Sequence, residues 1–163
     1  MSVNKYLPHV LLLPEDDANR QIANGFLLDP SATRQIDVLE VAGGWNEVLR
    51  RFSSVYAREM DRNPNRFMIL LIDFDGHLDR FDLAKNGIPE HLKDRVFVLG
   101  ILTEPEDLKS QMGHVQLEAI GLSMAKDCRE GTNEIWGHRL LVHNSPEIDR
   151  LRPNVCQFLF RPA

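Results

Sequence analysis

The sequence predicts an α/β protein, a three-layer sandwich around a central, mostly parallel sheet of about four strands, with a helical carboxyl-terminal extension. Short apolar runs alternate with stretches of helical periodicity. Two of those runs, Phe67 to Ile72 and Arg95 to Leu102, are apolar almost throughout, as strands covered on both faces are. Three of the four predicted strands run directly into carboxylates.

The first element, His9-Val-Leu-Leu-Leu-Pro14, ends in Glu15-Asp16-Asp17, and Ala18 to Leu28 then carries Ile22, Ala23 and Phe26 at helical spacing. This reads as strand, acidic turn, helix. Asp16 and Asp17 equally suit the N-cap of that helix. Ile36 to Val41 reads as a second strand, stopped by Gly43-Gly44. Beyond it Trp45, Val48, Leu49, Phe52, Val55 and Tyr56 share one helical face, which Asp61-Arg-Asn-Pro-Asn65 ends. The third strand, Phe67 to Ile72, runs into Asp73-Phe-Asp-Gly76. A polar, partly helical stretch, His77 to Asp94, precedes the fourth, which ends in Thr103-Glu-Pro-Glu-Asp107. The spacing predicts one helix from Leu108 to Gly131 and a second through Trp136, Leu140 and His143. Ser145-Pro-Glu147 has the cap, proline and carboxylate of a third helix start. Val155 to Phe160 suits an edge strand or a packed tail. The whole is a Rossmann-like architecture, read as one domain over 1–163, with a core at 9–110 and the extension at 111–163.

At 163 residues and 43% apolar content, the chain can bury roughly two-thirds of its unfolded surface in one core. A net charge of −5 disfavours a protein that grips nucleic acid by charge alone, so such a role needs a metal, a basic partner or a locally basic face. No apolar run approaches the roughly 20 residues that span a bilayer, so the expectation is no membrane and a cytoplasmic location. Cys128 and Cys156 read as reduced core residues. His138 and His143, five apart, are poorly placed for zinc and read as packed beside Trp136.

In parallel sheets ligands sit beyond the carboxyl ends of the strands. Glu15, Asp73, Asp75, Glu104 and Glu106 would converge there. Carboxylates that close repel unless a cation sits among them, and hard oxygen ligands favour Mg2+ (or Mn2+) over zinc. Side chains alternate along a strand, so Asp73 and Asp75 are expected to point into one site.

The order strand, Glu15, helix, strand, Gly43-Gly44, helix, strand, Asp73-Phe-Asp75 resembles the Toprim domain of the overcoming-lysogenization-defect (OLD) nuclease type. The resemblance spans roughly residues 9 to 110. It implies that Glu15 is a metal ligand or general acid or base, that Asp73 and Asp75 bind magnesium, and that Glu104 and Glu106, in Glu104-Pro-Glu-Asp-Leu108, serve a second metal. It further implies a phosphodiester-cleaving hydrolase with nucleic acid as substrate, working with an ATPase partner protein in a bacterial antiviral defence system. The chain departs from the pattern at Asp16, where glycine commonly follows the glutamate.

The run Leu11 to Arg20 also resembles the opening of a response-regulator receiver domain. That resemblance would make Asp16 and Asp17 the acidic pair, Asp73 the phospho-acceptor and Thr103 the switch hydroxyl. A receiver also needs a lysine ending a fifth strand, and Lys126 sits in a helical stretch. A third reading is a catalytically inactive interaction subunit, docking through the last third of the chain, where Trp136, His138, His143 and Asn144 cluster.

Overall fold

The computed structural model describes residues 3 to 162. Its four strands, β1 (His9–Pro14), β2 (Ile36–Val38), β3 (Arg66–Leu71) and β4 (Val96–Leu99), form one sheet in the order β2-β1-β3-β4. Every pairing is parallel, with Leu12 opposite both Val38 and Ile69, and Ile69 opposite Phe97. The continuous apolar runs follow from this sheet's two buried faces. Val10, Leu12, Ile69, Leu71, Phe97 and Leu99 enter one core layer. Leu11, Leu13, Met68, Leu70, Val96 and Val98 enter the other.

The second layer packs on α2 (Trp45–Arg51) and α3 (Ala57–Arg62), which join through a π-helical turn at Phe52–Tyr56. Beyond β3, α4 (Asp79–Asn86) adds Ala84 to the same layer.

The first layer holds α1 (Asp17–Phe26) and α6 (Leu117–Glu130), which touch through glycines. A Cβ on Gly25 would lie 2.0 Å from the Glu118 carbonyl oxygen, and one on Gly121 would lie 1.8 Å from that of Ile22. Each glycine therefore permits backbone-to-backbone contact that no other residue allows.

Several expectations change in detail. The stretch read as one helix from Leu108 is two, α5 (Pro105–Gln111) and α6, separated where Gly113 and His114 both take positive φ. The helix expected through Trp136 is a series of turns with a short 3-10 segment at Val142–Asn144. Asp127 organises those turns. Its carboxylate accepts from Thr132 Oγ1 and from the backbone N–H groups of Glu134, Ile135 and Trp136. Burial raises its pKa, but these four donors outweigh burial and hold it below the ordinary value.

Val155 to Phe160 is not a sheet strand, because α7 (Ser145–Leu151) continues through a π-helical turn at Arg152–Cys156 into α8 (Gln157–Leu159). Only Phe160 makes an extended bridge, to Ala32. Cys128 and Cys156 are not reduced: the ends of α6 and the π turn bring their Cα atoms to 5.7 Å, and the sulfurs are bonded. No helix among the described residues is long and apolar enough to cross a membrane.

Side chains, not a fifth strand, satisfy the outer edge of β4. Glu147 accepts from the Val98 N–H at 2.8 Å, and Asn144 both accepts from the Gly100 N–H and donates to its carbonyl, at 3.0 and 2.8 Å. All of these bonds are buried. Asn144→Ala leaves the Gly100 N–H without its partner, and we expect a loss of about 1–3 kcal/mol in urea unfolding.

Candidate metal centre

The strand order reverses direction of growth between β1 and β3, and their carboxyl ends open the crevice where such sheets bind ligands. Glu15 leaves β1 there, with its N–H bonded to the Leu71 carbonyl, while its own carbonyl accepts from Gly43. Gly43 has φ of 100°, a turn that favours glycine and closes the β2–α2 connection against the site. Asp16 follows as the N-cap of α1, in extended conformation, accepting from the Asn19 N–H at 3.0 Å. Asp73 follows Ile72 on the neighbouring chain segment, side chain toward α1.

Glu15, Asp16 and Asp73 each place a carboxylate oxygen within 4.8 Å of the others. Three hydrogen bonds tie the group together. Glu15 Oε2 accepts from the Asp73 N–H at 2.6 Å, and the fully buried Asn19 amide donates to both Asp16 and Asp73 at 3.0 Å. Asn19 Oδ1 has no partner, although it is buried.

The charges in this group are under strain. Burial, opposed by the Asn19 bond but reinforced by repulsion from Asp16, Glu15 and Asp75, pushes the Asp73 carboxyl up to about 8. Burial also raises Glu15, against the stabilising Asp73 N–H, with further repulsion from Asp16 and Asp75. A divalent cation removes this conflict, and an all-oxygen donor set suits magnesium or manganese.

The sign of the linkage follows from the raised value. Between the ordinary carboxylate range and about pH 8, folded Asp73 keeps a proton that the unfolded chain has released. Its contribution to stability is therefore intact below about pH 4 and is lost as pH rises to about 8. We expect the stability of Asp73→Asn minus that of the wild type, measured in EDTA, to grow across that window.

The other predicted residues lie outside this group of three. Asp75 does not continue the strand: its φ is 49°, so the alternation that would align it with Asp73 has ended. Its carboxylate meets Arg80 at 2.7 Å. Glu104 is the exposed residue before α5, Glu106 is exposed in that helix's first turn, and neither belongs to the converging group. The exposed Asp17 pairs with Arg20. Thr103 Oγ1 is buried without a partner. Lys126 meets Glu134 at 3.6 Å. The His143 ring packs edge-on against that of Phe74, with 5.1 Å between centroids.

Asn19 is the residue the motifs did not single out, while Arg80 is one of the basic residues, with Lys85 and Lys109, that the sequence offers for stabilising charge at the site. Arg80 donates to the Asp73 carbonyl at 3.1 Å as well as to Asp75, and its guanidinium lies 4.8 Å over the Trp45 ring. It thus holds positive charge at the rim of an acidic crevice. Lys85, another basic residue near the sheet, is committed to Glu147 at 3.1 Å.

Comparison with known proteins finds no matching family model, no matching curated protein and no matching solved structure.

Proposed function

We propose that the protein is a magnesium- or manganese-dependent phosphodiesterase acting on nucleic acid, with Glu15, Asp16 and Asp73 as the metal-holding carboxylates. The observation that carries this reading is their convergence within 4.8 Å at the β1/β3 crevice. A cation held there supplies Lewis-acid activation of a phosphate oxygen and lowers the pKa of bound water. Around it, Asn19 fixes the orientation of two of the carboxylates, and Arg80 offers positive charge to a phosphate at the rim. Glu104 and Glu106 are left out of the proposal. The ATPase partner and the antiviral role rest on the Toprim resemblance alone and are carried forward as proposals.

The presence of Asp16 beside Asp73 also favours the receiver reading. Against it, Lys126 pairs with Glu134, and Asn144 and Glu147 occupy the β4 edge that a fifth strand would need.

One experiment separates the readings: plasmid DNA with magnesium or manganese, and in parallel a small phospho-donor, each with wild type and Asp73→Asn. Metal-dependent nicking that the variant lacks supports the phosphodiesterase. A labile acyl-phosphate on Asp73 without nicking replaces it with the receiver. Neither activity, and no metal-dependent thermal shift, points to an interaction subunit.

A further inference from the structure

We infer that a groove at the junction of α6, the 29–33 loop and the carboxyl-terminal tail is a phosphate-binding site, formed without any residue of the candidate metal centre. The groove encloses about 680 Å³, within the range of small-molecule pockets. Arg129, Arg152 and Arg161 line it, together with Ser31, Gln157 and the ring of Phe160. The Cys128–Cys156 disulfide lies in the same wall and ties α6 to the π-helical turn that begins with Arg152.

The charges lining the groove do not balance. Arg129 is matched, with Asp29 at 3.2 Å and Glu130 at 3.4 Å. Arg152 and Arg161 are not: among the described residues, their bonds go to neutral acceptors only. Arg152 Nη2 donates to the Thr132 carbonyl and to Asn133 Oδ1. Arg161 Nη2 donates to the Pro30 carbonyl. Three guanidiniums therefore meet two carboxylates in a chain whose net charge is −5.

A guanidinium offers five N–H groups in a rigid fork that matches phosphate oxygens. Arg152 Nε is buried and has no partner. The bonds of Arg152 Nη2 and Arg161 Nη2 to neutral acceptors use only part of each fork, which leaves further N–H groups for an anion.

Backbone contacts hold Arg161 in place. The Arg161 N–H bonds to the Ser31 carbonyl at 2.8 Å, and Thr33 bonds to the carbonyls of Phe158 and Leu159, which fastens the tail to the loop. Phe160, tilted against Phe26 at 5.6 Å, gives the groove an aromatic wall beside its cationic one. A phosphate beside an aromatic surface is the chemistry of a nucleotide, so the site is assigned to a phosphate group, free or on a nucleoside.

Calorimetric titration of the whole protein in EDTA, so that no metal bridges an anion to the acidic crevice, tests this with inorganic phosphate, adenosine 5′-monophosphate and adenosine. The expected result is saturable binding of the first two and none of adenosine. Tighter binding of the monophosphate than of phosphate identifies a nucleotide, and equal binding identifies phosphate alone. Arg161→Gln, which removes one bond to a surface carbonyl, is expected to weaken binding at least tenfold with an unchanged circular dichroism spectrum. Absence of saturable binding, equal binding by the variant, or adenosine binding as tightly as its monophosphate would overturn the assignment.

Discussion

Replacing Asp73 with asparagine is expected to stabilise the metal-free protein while abolishing the proposed response to magnesium and the proposed cleavage of nucleic acid. The carboxylate is 5% exposed and faces two other acids, so at neutral pH the fold either carries an unfavourable charge or holds a proton there. An amide at this position still accepts from Asn19 but carries no charge. Relief of that repulsion is worth about 1–2 kcal/mol, or roughly 2–8 °C in melting temperature. Under the proposed function the same change removes a metal ligand, and a loss of at least about 100-fold in metal-dependent cleavage is expected. Thermal melts of both proteins, with EDTA and with magnesium, check the two halves together. A variant less stable than wild type in EDTA would mean that Asp73 is a structural acid satisfied by Asn19 alone.

Gly121→Ala should be among the most damaging single-methyl additions. In an isolated helix this change gains up to about 1 kcal/mol. Here the new methyl would sit 1.8 Å from the Ile22 carbonyl oxygen and 2.8 Å from the Phe26 nitrogen, both backbone atoms of α1 that no rotamer can move aside. The helices must separate along their whole contact, at a cost of roughly 3 kcal/mol or more and a fall of roughly 6–12 °C in melting temperature. Gly87→Ala is the control, since nothing lies within 3.5 Å of its Cβ position. Urea unfolding of the two variants measures the contrast, and an unchanged midpoint for Gly121→Ala would refute the close packing of α1 on α6.

The parallel sheet was legible because its cause is local. Strands buried on both faces are apolar at every position, and the runs at Leu11, Ile69 and Val98 show it directly. The carboxylates after β1 and β3 were legible for the same reason, as abrupt ends to those runs. What was not legible depends on partners distant in sequence or on backbone that carries no residue signal. Asp75 turns out of the strand with positive φ although it is not glycine, so the period-two argument for Asp73 and Asp75 ends one residue early. Asp16 looked like a helix cap and is one, yet its carboxylate also joins the acidic group, because Asn19 links it to a residue 54 positions beyond Asn19. The disulfide joins residues 28 apart whose approach depends on how α6 and the π turn pack. The absent fifth strand is likewise a tertiary effect, in which two side chains from the α7 region do the work of a neighbouring backbone.

Manganese bound to crystals and located by anomalous scattering tests the central claim most directly. One ion is expected in the β1/β3 crevice, with carboxylate oxygens of Glu15, Asp16 and Asp73 among its ligands at roughly 2.0–2.3 Å, and no ion there in Asp73→Asn crystals. A crevice that stays empty at saturating manganese, or an ion held by Glu104 and Glu106 without Asp73, would contradict it.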